Sequence, residues 1–344
     1  MTKQRILILA EGKFDIFNAK TAVGVIRYRK EEVVGIIDRF NTGKDAASLI
    51  GIGKNIPVVS NVAEAMPLQP TDLLIGIAPP GGTLPVEWRN HITDAIRNKL
   101  NIVSGLHCYL GEDPQFLQLA RDHEVNIRDV RKSPKDIGIG TGRAKETRTL
   151  RILTVGSDCN VGKMLTSLEV THAAKKEGIN ACFVATGQTG IMIEGSGIAV
   201  DHVLSDFISG AAEKLVLDRA HFRLLSIEGQ GSVIHPAYSG VTLGLLHGTA
   251  PQGLILCHQP ARKILRHTKF PMLPLHDLIE LYEKLAQPFY PCKVLGISLN
   301  SYGMSEHDAL QEIRNTEKET KLPATDPVRF GVAKFLDVIR PLLP

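Results

Sequence analysis

The chain has 344 residues, 43% apolar and 22% charged, with a formal net charge of +4. That length supports two domains with full cores, and the composition excludes a disordered chain. The small charge, with no basic stripe interleaved with aromatics, excludes an obvious nucleic-acid binder. No run approaches the roughly 20 apolar residues of a membrane helix. The start, MTKQRILILAEG, lacks the apolar length and cleavage pattern of a secretory signal. The five cysteines, Cys108, Cys159, Cys182, Cys257 and Cys292, are scattered without CxxC spacing, as expected of reduced thiols. The expectation is a cytoplasmic protein acting on a small-molecule substrate, with no nucleic-acid or membrane partner, and associating as a homo-oligomer.

In the first 130 residues, short apolar strands over Arg5–Ala10, Val33–Asp38, Ile56–Val59, Asp72–Ala78 and Ile102–Gly105 alternate with helices. The helices fall near Lys20–Tyr28, Val62–Met66, Val86–Lys99 and Gln115–His123. This alternation predicts a Rossmann-like, doubly wound parallel sheet. Ligands of such sheets lie beyond the carboxyl ends of strands, which makes Asp38, Ala78-Pro79-Pro80-Gly81-Gly82 and Gly105-Leu106-His107 cleft residues. The first turn lacks G-x-G-x-x-G, so Asp38 reads either as a ribose ligand or as a turn former. Residues 131–149, basic and poor in apolar side chains, read as an exposed linker.

Residues 150–344 read as a P-loop NTPase-like α/β domain. The apolar run Ile152-Leu153-Thr154-Val155 predicts a buried strand; Gly156 ends it, and Gly162-Lys163 opens a helix running to about Glu177. A strand, a glycine-bounded loop, Gly-Lys and a helix form a phosphate cradle of backbone N–H groups with one mobile cation. The cofactor-binding set is therefore Gly156, Ser157, Asp158, Cys159, Asn160, Val161, Gly162, Lys163 and Met164. Two positions depart from G-x-x-x-x-G-K-[ST]: Ser157 stands at the first glycine, and Met164 cannot offer Mg²⁺ a hydroxyl. Cys159 reads either as a reactive thiol or as a small residue fitting the turn.

Strands follow at Ala181–Thr186, Leu224–Ile227, Leu254–Cys257 and Val294–Leu299, with helices from Asp206, His276 and Glu306 and a last one from Val328. The third of the domain's strands ends in Glu228-Gly229-Gln230-Gly231. An acid there can hold Mg²⁺, if Mg²⁺ is used, or accept a proton, and His235 close by suits a general base. Glu228 and His235 are thus the catalytic pair. Asn300, at the end of the last of these strands, can read a purine edge.

GSDCNVGKM at Gly156–Met164, Glu228-Gly229 and Asn300 resemble the phosphate loop, metal-side acid and adenine-reading asparagine of dethiobiotin synthetase, an ATP- and Mg²⁺-dependent ligase. A wider likeness takes in AKTAVGVIRY at Ala19–Tyr28, IAPPGG at Ile77–Gly82 and GSDCNVGKM. It continues through ATGQTG at Ala185–Gly190, EGQGSVIHPAYSGVTLGLLHG at Glu228–Gly248 and LPATDPVR at Leu322–Arg329. Together these resemble a two-domain phosphate-loop family that includes D-glutamate N-acetyltransferase. That resemblance implies a loop holding acetyl-CoA phosphates in place of ATP, and acetylation of an acidic D-amino acid. The competing expectations are an ATP/Mg²⁺ ligase or kinase and a nucleotide-binding regulator without turnover.

Overall fold

The computed structural model describes residues 4–344 apart from 17, 78 and 80–83. The chain forms two compact units, Met1–Ser133 with Ile191–Ser196, and Pro134–Gly190 with Gly197–Pro344.

The first unit holds β1 (Ile6–Leu9), β2 (Val33–Ile37), β3 (Val58–Val59), β4 (Asp72–Ile75), β5 (Asn101–Ser104) and β6 (Ile127–Asp129). They form one sheet in the order β3-β2-β1-β4-β5-β6, every pair parallel. This is the strand order of the Rossmann fold. Ile6–Leu9 is buried at every residue because helices cover both faces of a parallel sheet, so no polar alternation marks it. Edge strand β6, sequence IRD, carries no apolar signal and is not foreseen from the sequence.

Asp38 is fully buried and its carboxylate is engaged by the protein. It accepts from the N–H groups of Gly12 (3.0 Å) and Phe40 (3.2 Å) and from the Asn41 amide (2.8 Å). It is a turn former, not a free ribose ligand. Of the Ala78–Gly82 turn, only Pro79 lies within the described residues.

The second unit holds β7 (Leu150–Gly156), β8 (Ala181–Val184), β9 (Leu224–Ile227), β10 (Gly253–His258), β11 (Lys293–Leu299) and β12 (Ala324–Thr325). Their order is β12-β11-β10-β7-β9-β8, again all parallel. β7 is buried along its length, with Leu153 opposite Ile227 on one side and Cys257 opposite Gly156 on the other. The loops after β7, β9 and β10 therefore leave the same sheet edge side by side, around the point where strand order reverses.

The basic segment after Ser133 is exposed at most of its residues, yet it is tied down locally: Ala144 and Thr149 are buried, and Thr141 and Arg143 donate backbone N–H groups to Glu213 at 3.1 and 2.8 Å. Helices Gln188–Glu194 and Ser239–Thr249 are not foreseen from the sequence. In the second, Cβ atoms at Gly244 and Gly248 would meet Ile208 Cγ2 at 2.3 Å and Ser209 O at 2.2 Å. Those glycines lower helix propensity but let this helix pack backbone-close on helix Ile208–Leu217. Helix Lys163–Lys176 turns polar side chains inward as well as apolar ones: Thr166, Ser167 and Thr171 are all buried. Thr171 bonds the carbonyl one turn back (2.8 Å), and Ser167 reaches Ile227 O (3.0 Å). Among the described residues, no helix is long and apolar enough to cross a membrane.

Candidate active site

The loop after β7 is shaped for an anion. Asn160 (φ +54°) and Gly162 (φ +107°) take left-handed backbone, which turns the loop back before the helix begins. Among the described residues, the N–H groups of Val161, Gly162, Lys163 and Met164 meet no protein acceptor. Lys163 is buried, and its Nζ donates to Asp158 O at 2.8 Å across the loop. A Cβ on Gly156 would stand 2.7 Å from both that ammonium and Asp158 O, so the position needs glycine. Converging N–H donors and one cation in a cradle a side chain would fill suit a phosphate.

The donor set suits Mg²⁺ less well. Met164 brings no oxygen, and the next hydroxyl along the helix, Thr166 Oγ1, is engaged by Gly162 O (3.0 Å) and Ser298 Oγ (2.7 Å).

Residues far away in sequence brace the loop. Asp158, fully buried, accepts from Cys159 N–H (2.6 Å), Arg262 Nη1 (2.8 Å) and Arg266 N–H (2.7 Å). Burial pushes its carboxyl up, but these donors outweigh burial and hold it below the usual range. Arg262 also reaches Cys159 O at 2.6 Å. Burial and the Asp158 carboxylate push the Cys159 thiol up, against Lys163 and Arg266, which favours the reading of a small residue fitting the turn.

Ser157 Oγ pairs with His258 Nδ1 at 2.9 Å. Burial, with Lys263 and Arg262, pushes His258 down to about 4, so its ring is neutral at physiological pH. Tyr282, fully buried, donates to Gly156 O at 2.8 Å and accepts from Val233 N–H at 3.2 Å, tying the loops after β7 and β9 together.

His235 is placed differently from the sequence expectation. Its Nδ1 accepts from Ala237 N–H (3.1 Å), which leaves the ring proton on Nε2, donated to Arg266 O (2.9 Å). With both nitrogens engaged and Nε2 3.9 Å from Asp158, this ring positions the Arg266 turn instead of standing free as a base. Side-chain donors of Asp158, Cys159 and His235 lie within 4.8 Å of one another, a spacing compatible with a metal. Asp158, however, already holds the Arg262 guanidinium there.

Glu228 follows β9 and is buried. Its Oε2 accepts from Thr186 N–H (2.9 Å) and Gly187 N–H (3.0 Å) after β8. Burial pushes its carboxyl up to about 7, reinforced by Asp201 and opposed by those N–H groups and Lys163. The adjoining Gly229 sits against the phosphate loop: a Cβ there would lie 1.6 Å from Thr154 O and 3.3 Å from Lys163 Cδ. Glu228 thus flanks the phosphate cradle as a carboxyl half-ionised near neutrality. Asn300 lies just past β11, where its Oδ1 accepts Tyr302 N–H at 3.2 Å in a local turn.

Gly190 explains part of ATGQTG. A Cβ there would come 2.4 Å from Glu228 Oε2 and 3.2 Å from Ala185 Cβ. In an open helix Gly→Ala would stabilise by roughly 1 kcal/mol. Here Gly190→Ala is expected to destabilise by about 1–3 kcal/mol through overpacking, measured by urea denaturation; a stabilised variant would show that Glu228 is not held as described.

Similarity to known proteins extends over most of the chain. A family model described as a domain of unknown function, DUF1611, P-loop domain, matches residues 138–336, and its Rossmann-like N-terminal counterpart matches 39–133. A protein of Pseudoalteromonas named D-glutamate N-acetyltransferase is 41% identical, the match covering 79% of this chain and 82% of that one. One of the same name from Tritonibacter scottomollicae is 36% identical over 94% of this chain and 95% of its own. A crystal structure of a DUF1611 family protein from Anabaena variabilis superposes with a TM-score of 0.94 at 38% identity, covering 98% and 99% of the two chains. The chain belongs to the DUF1611 family, with its Rossmann-like amino-terminal and P-loop carboxyl-terminal domains.

Proposed function

We propose that this protein is an N-acetyltransferase that holds acetyl-CoA by its phosphate loop and acetylates the amine of an acidic D-amino acid such as D-glutamate. The reading rests on two relatives of that name matched over most of their lengths. The observation that carries it is the placement of Glu228, a buried carboxyl held by the Thr186 and Gly187 N–H groups beside the phosphate cradle, where burial pushes it up to about 7.

An amino-acid amine arrives as an ammonium and must lose a proton before it can attack. A base with a pKa near the working pH is best suited to take it, and Glu228 meets that condition close enough to Lys163 for the ammonium to act on its carboxyl. Acetyl-CoA, when bound, supplies the acetyl group as a thioester: its C–S bond breaks as the C–N bond forms, and the departing thiolate takes up one of the two protons the nitrogen sheds, the other going by way of Glu228 to solvent. The N–H groups of residues 161–164 and the Lys163 ammonium hold phosphate oxygens without a metal. Met164 at the usual hydroxyl position favours this over an ATP/Mg²⁺ ligase. His235 acts in this scheme by fixing the Arg266 turn against Asp158.

Release of free thiol from acetyl-CoA tests the proposal. Thiol is expected to appear only with enzyme and D-glutamate together, with N-acetylglutamate as co-product. Absence of thiol release across a panel of D-amino acids, with ADP released from ATP and Mg²⁺, would overturn it.

A further inference from the structure

The chain after β10 reads ARKILRHTKF over Ala261–Phe270, with Arg262, Lys263, Arg266 and Lys269 inside eight residues. It folds back on itself as a short hairpin, with Leu265 N–H bonding Phe270 O and Met272 N–H bonding Lys263 O, both at 2.9 Å. Leu265 is the buried foot. Arg262 and the Arg266 N–H fasten the hairpin to Asp158 inside the phosphate loop, at 2.8 and 2.7 Å.

Arg262 is paired with Asp158, but among the described residues no carboxylate pairs with Lys263, Arg266 or Lys269. Their charges reach the loop: Lys263 acts on the His258 ring and Arg266 on the Cys159 thiol. Beside them Ile264 and Phe270 are 53% and 60% exposed, apolar surface of the kind a purine ring covers.

A diphosphate in the cradle already has the loop N–H groups and Lys163. Unpaired cations alongside are surplus to it and suit a further phosphate on the same ligand. Coenzyme A carries one apart from its diphosphate, on the ribose 3′-oxygen, where ATP has a hydroxyl; the third phosphate of ATP extends the chain in the cradle itself.

We propose that the hairpin carrying Lys263 and Arg266 holds the 3′-phosphate of coenzyme A, and so selects coenzyme A over nucleoside triphosphates. This rests on the acetyl-CoA reading above and adds its selectivity element. Lys263 is exposed, and Arg266 fastens to Asp158 through its backbone, so truncating both side chains leaves the hairpin's anchor in place.

Calorimetric titration with acetyl-CoA and with acetyl-dephospho-CoA, which lacks only that phosphate, tests it on wild type and on Lys263→Ala/Arg266→Ala. Wild type is expected to prefer acetyl-CoA by about tenfold or more, the scale of a charge-assisted phosphate contact. In the double variant that preference should fall to within about twofold, with acetyl-dephospho-CoA bound as by wild type. Equal binding of both ligands by wild type, or an undiminished preference in the variant, overturns the 3′-phosphate site while leaving the acetyl-CoA reading intact. If neither ligand binds wild type, the acetyl-CoA reading falls and this inference with it.

Discussion

Glu228→Gln is expected to lower kcat for thiol release by roughly 10²–10⁴-fold, the usual contribution of a positioned general base. The substitution keeps the size of the side chain and one oxygen to accept the N–H groups of Thr186 and Gly187, so the loss reports proton transfer and not collapse. Wild-type kcat should rise with pH through about 7, where burial places the Glu228 carboxyl, and the residual rate of the variant should lack that rise.

Stability should move the opposite way. The folded-state pKa is raised from 4.5 to about 7, so the native state binds this proton more tightly than the unfolded chain does. The stability this lends is fully present below pH 4.5 and is lost as pH rises through about 7. Above pH 7 the buried carboxylate costs about 3 kcal/mol relative to its neutral form. Glu228→Gln should therefore be more stable than wild type at pH 8 and close to it at pH 4, by chemical denaturation at each pH. A base that weakens its own fold at the pH where it works is a common signature of functional groups. Equal kcat and equal stability in the variant would remove Glu228 from the site.

Lys163→Ala is the second large effect. The lysine is buried, its ammonium donates to Asp158 O and, among the described residues, to no carboxylate, and burial pushes its pKa down. A charged hydrogen bond to a phosphate is worth about 1.5–3 kcal/mol, so acetyl-CoA affinity should fall roughly 10- to 100-fold. The ligand-free variant should be no less stable than wild type, because a buried ammonium held by one carbonyl gains little for the fold. Loss of stability together with loss of affinity would instead mark the lysine as structural.

How much of this is legible in the sequence follows from how locally each feature is encoded. The phosphate loop is contiguous, and β7, Gly156, Gly162-Lys163 and the helix each carry their own signal, so the cradle can be placed from residues 151–166 alone. Glu228 is legible for a similar reason, an acid between a buried strand and a glycine. The residues that brace the loop are not legible. His258 meets Ser157 across 101 positions, Arg262 meets Asp158 across 104 and Tyr282 meets Gly156 across 126. Nothing in any of these segments names its partner until strand order β10-β7-β9 brings them together.

His235 shows the converse. Its neighbourhood in sequence suits a base, but only the fold reveals that Ala237 and Arg266 engage both ring nitrogens. Helix Ser239–Thr249 goes unseen too, since its glycines lower helix propensity while the tight helix contact that requires them is not local in sequence. Edge strand β6 goes unseen because pairing to β5, not apolar content, makes it a strand.

The most direct measurement is a calorimetric titration of wild type and Lys163→Ala with acetyl-CoA, and with ATP plus Mg²⁺. The account predicts that wild type binds acetyl-CoA without added metal, that Lys163→Ala binds it at least tenfold more weakly, and that ATP gives little or no heat. Mg²⁺-dependent ATP binding with acetyl-CoA silent would contradict it and return the protein to the ligase or kinase class.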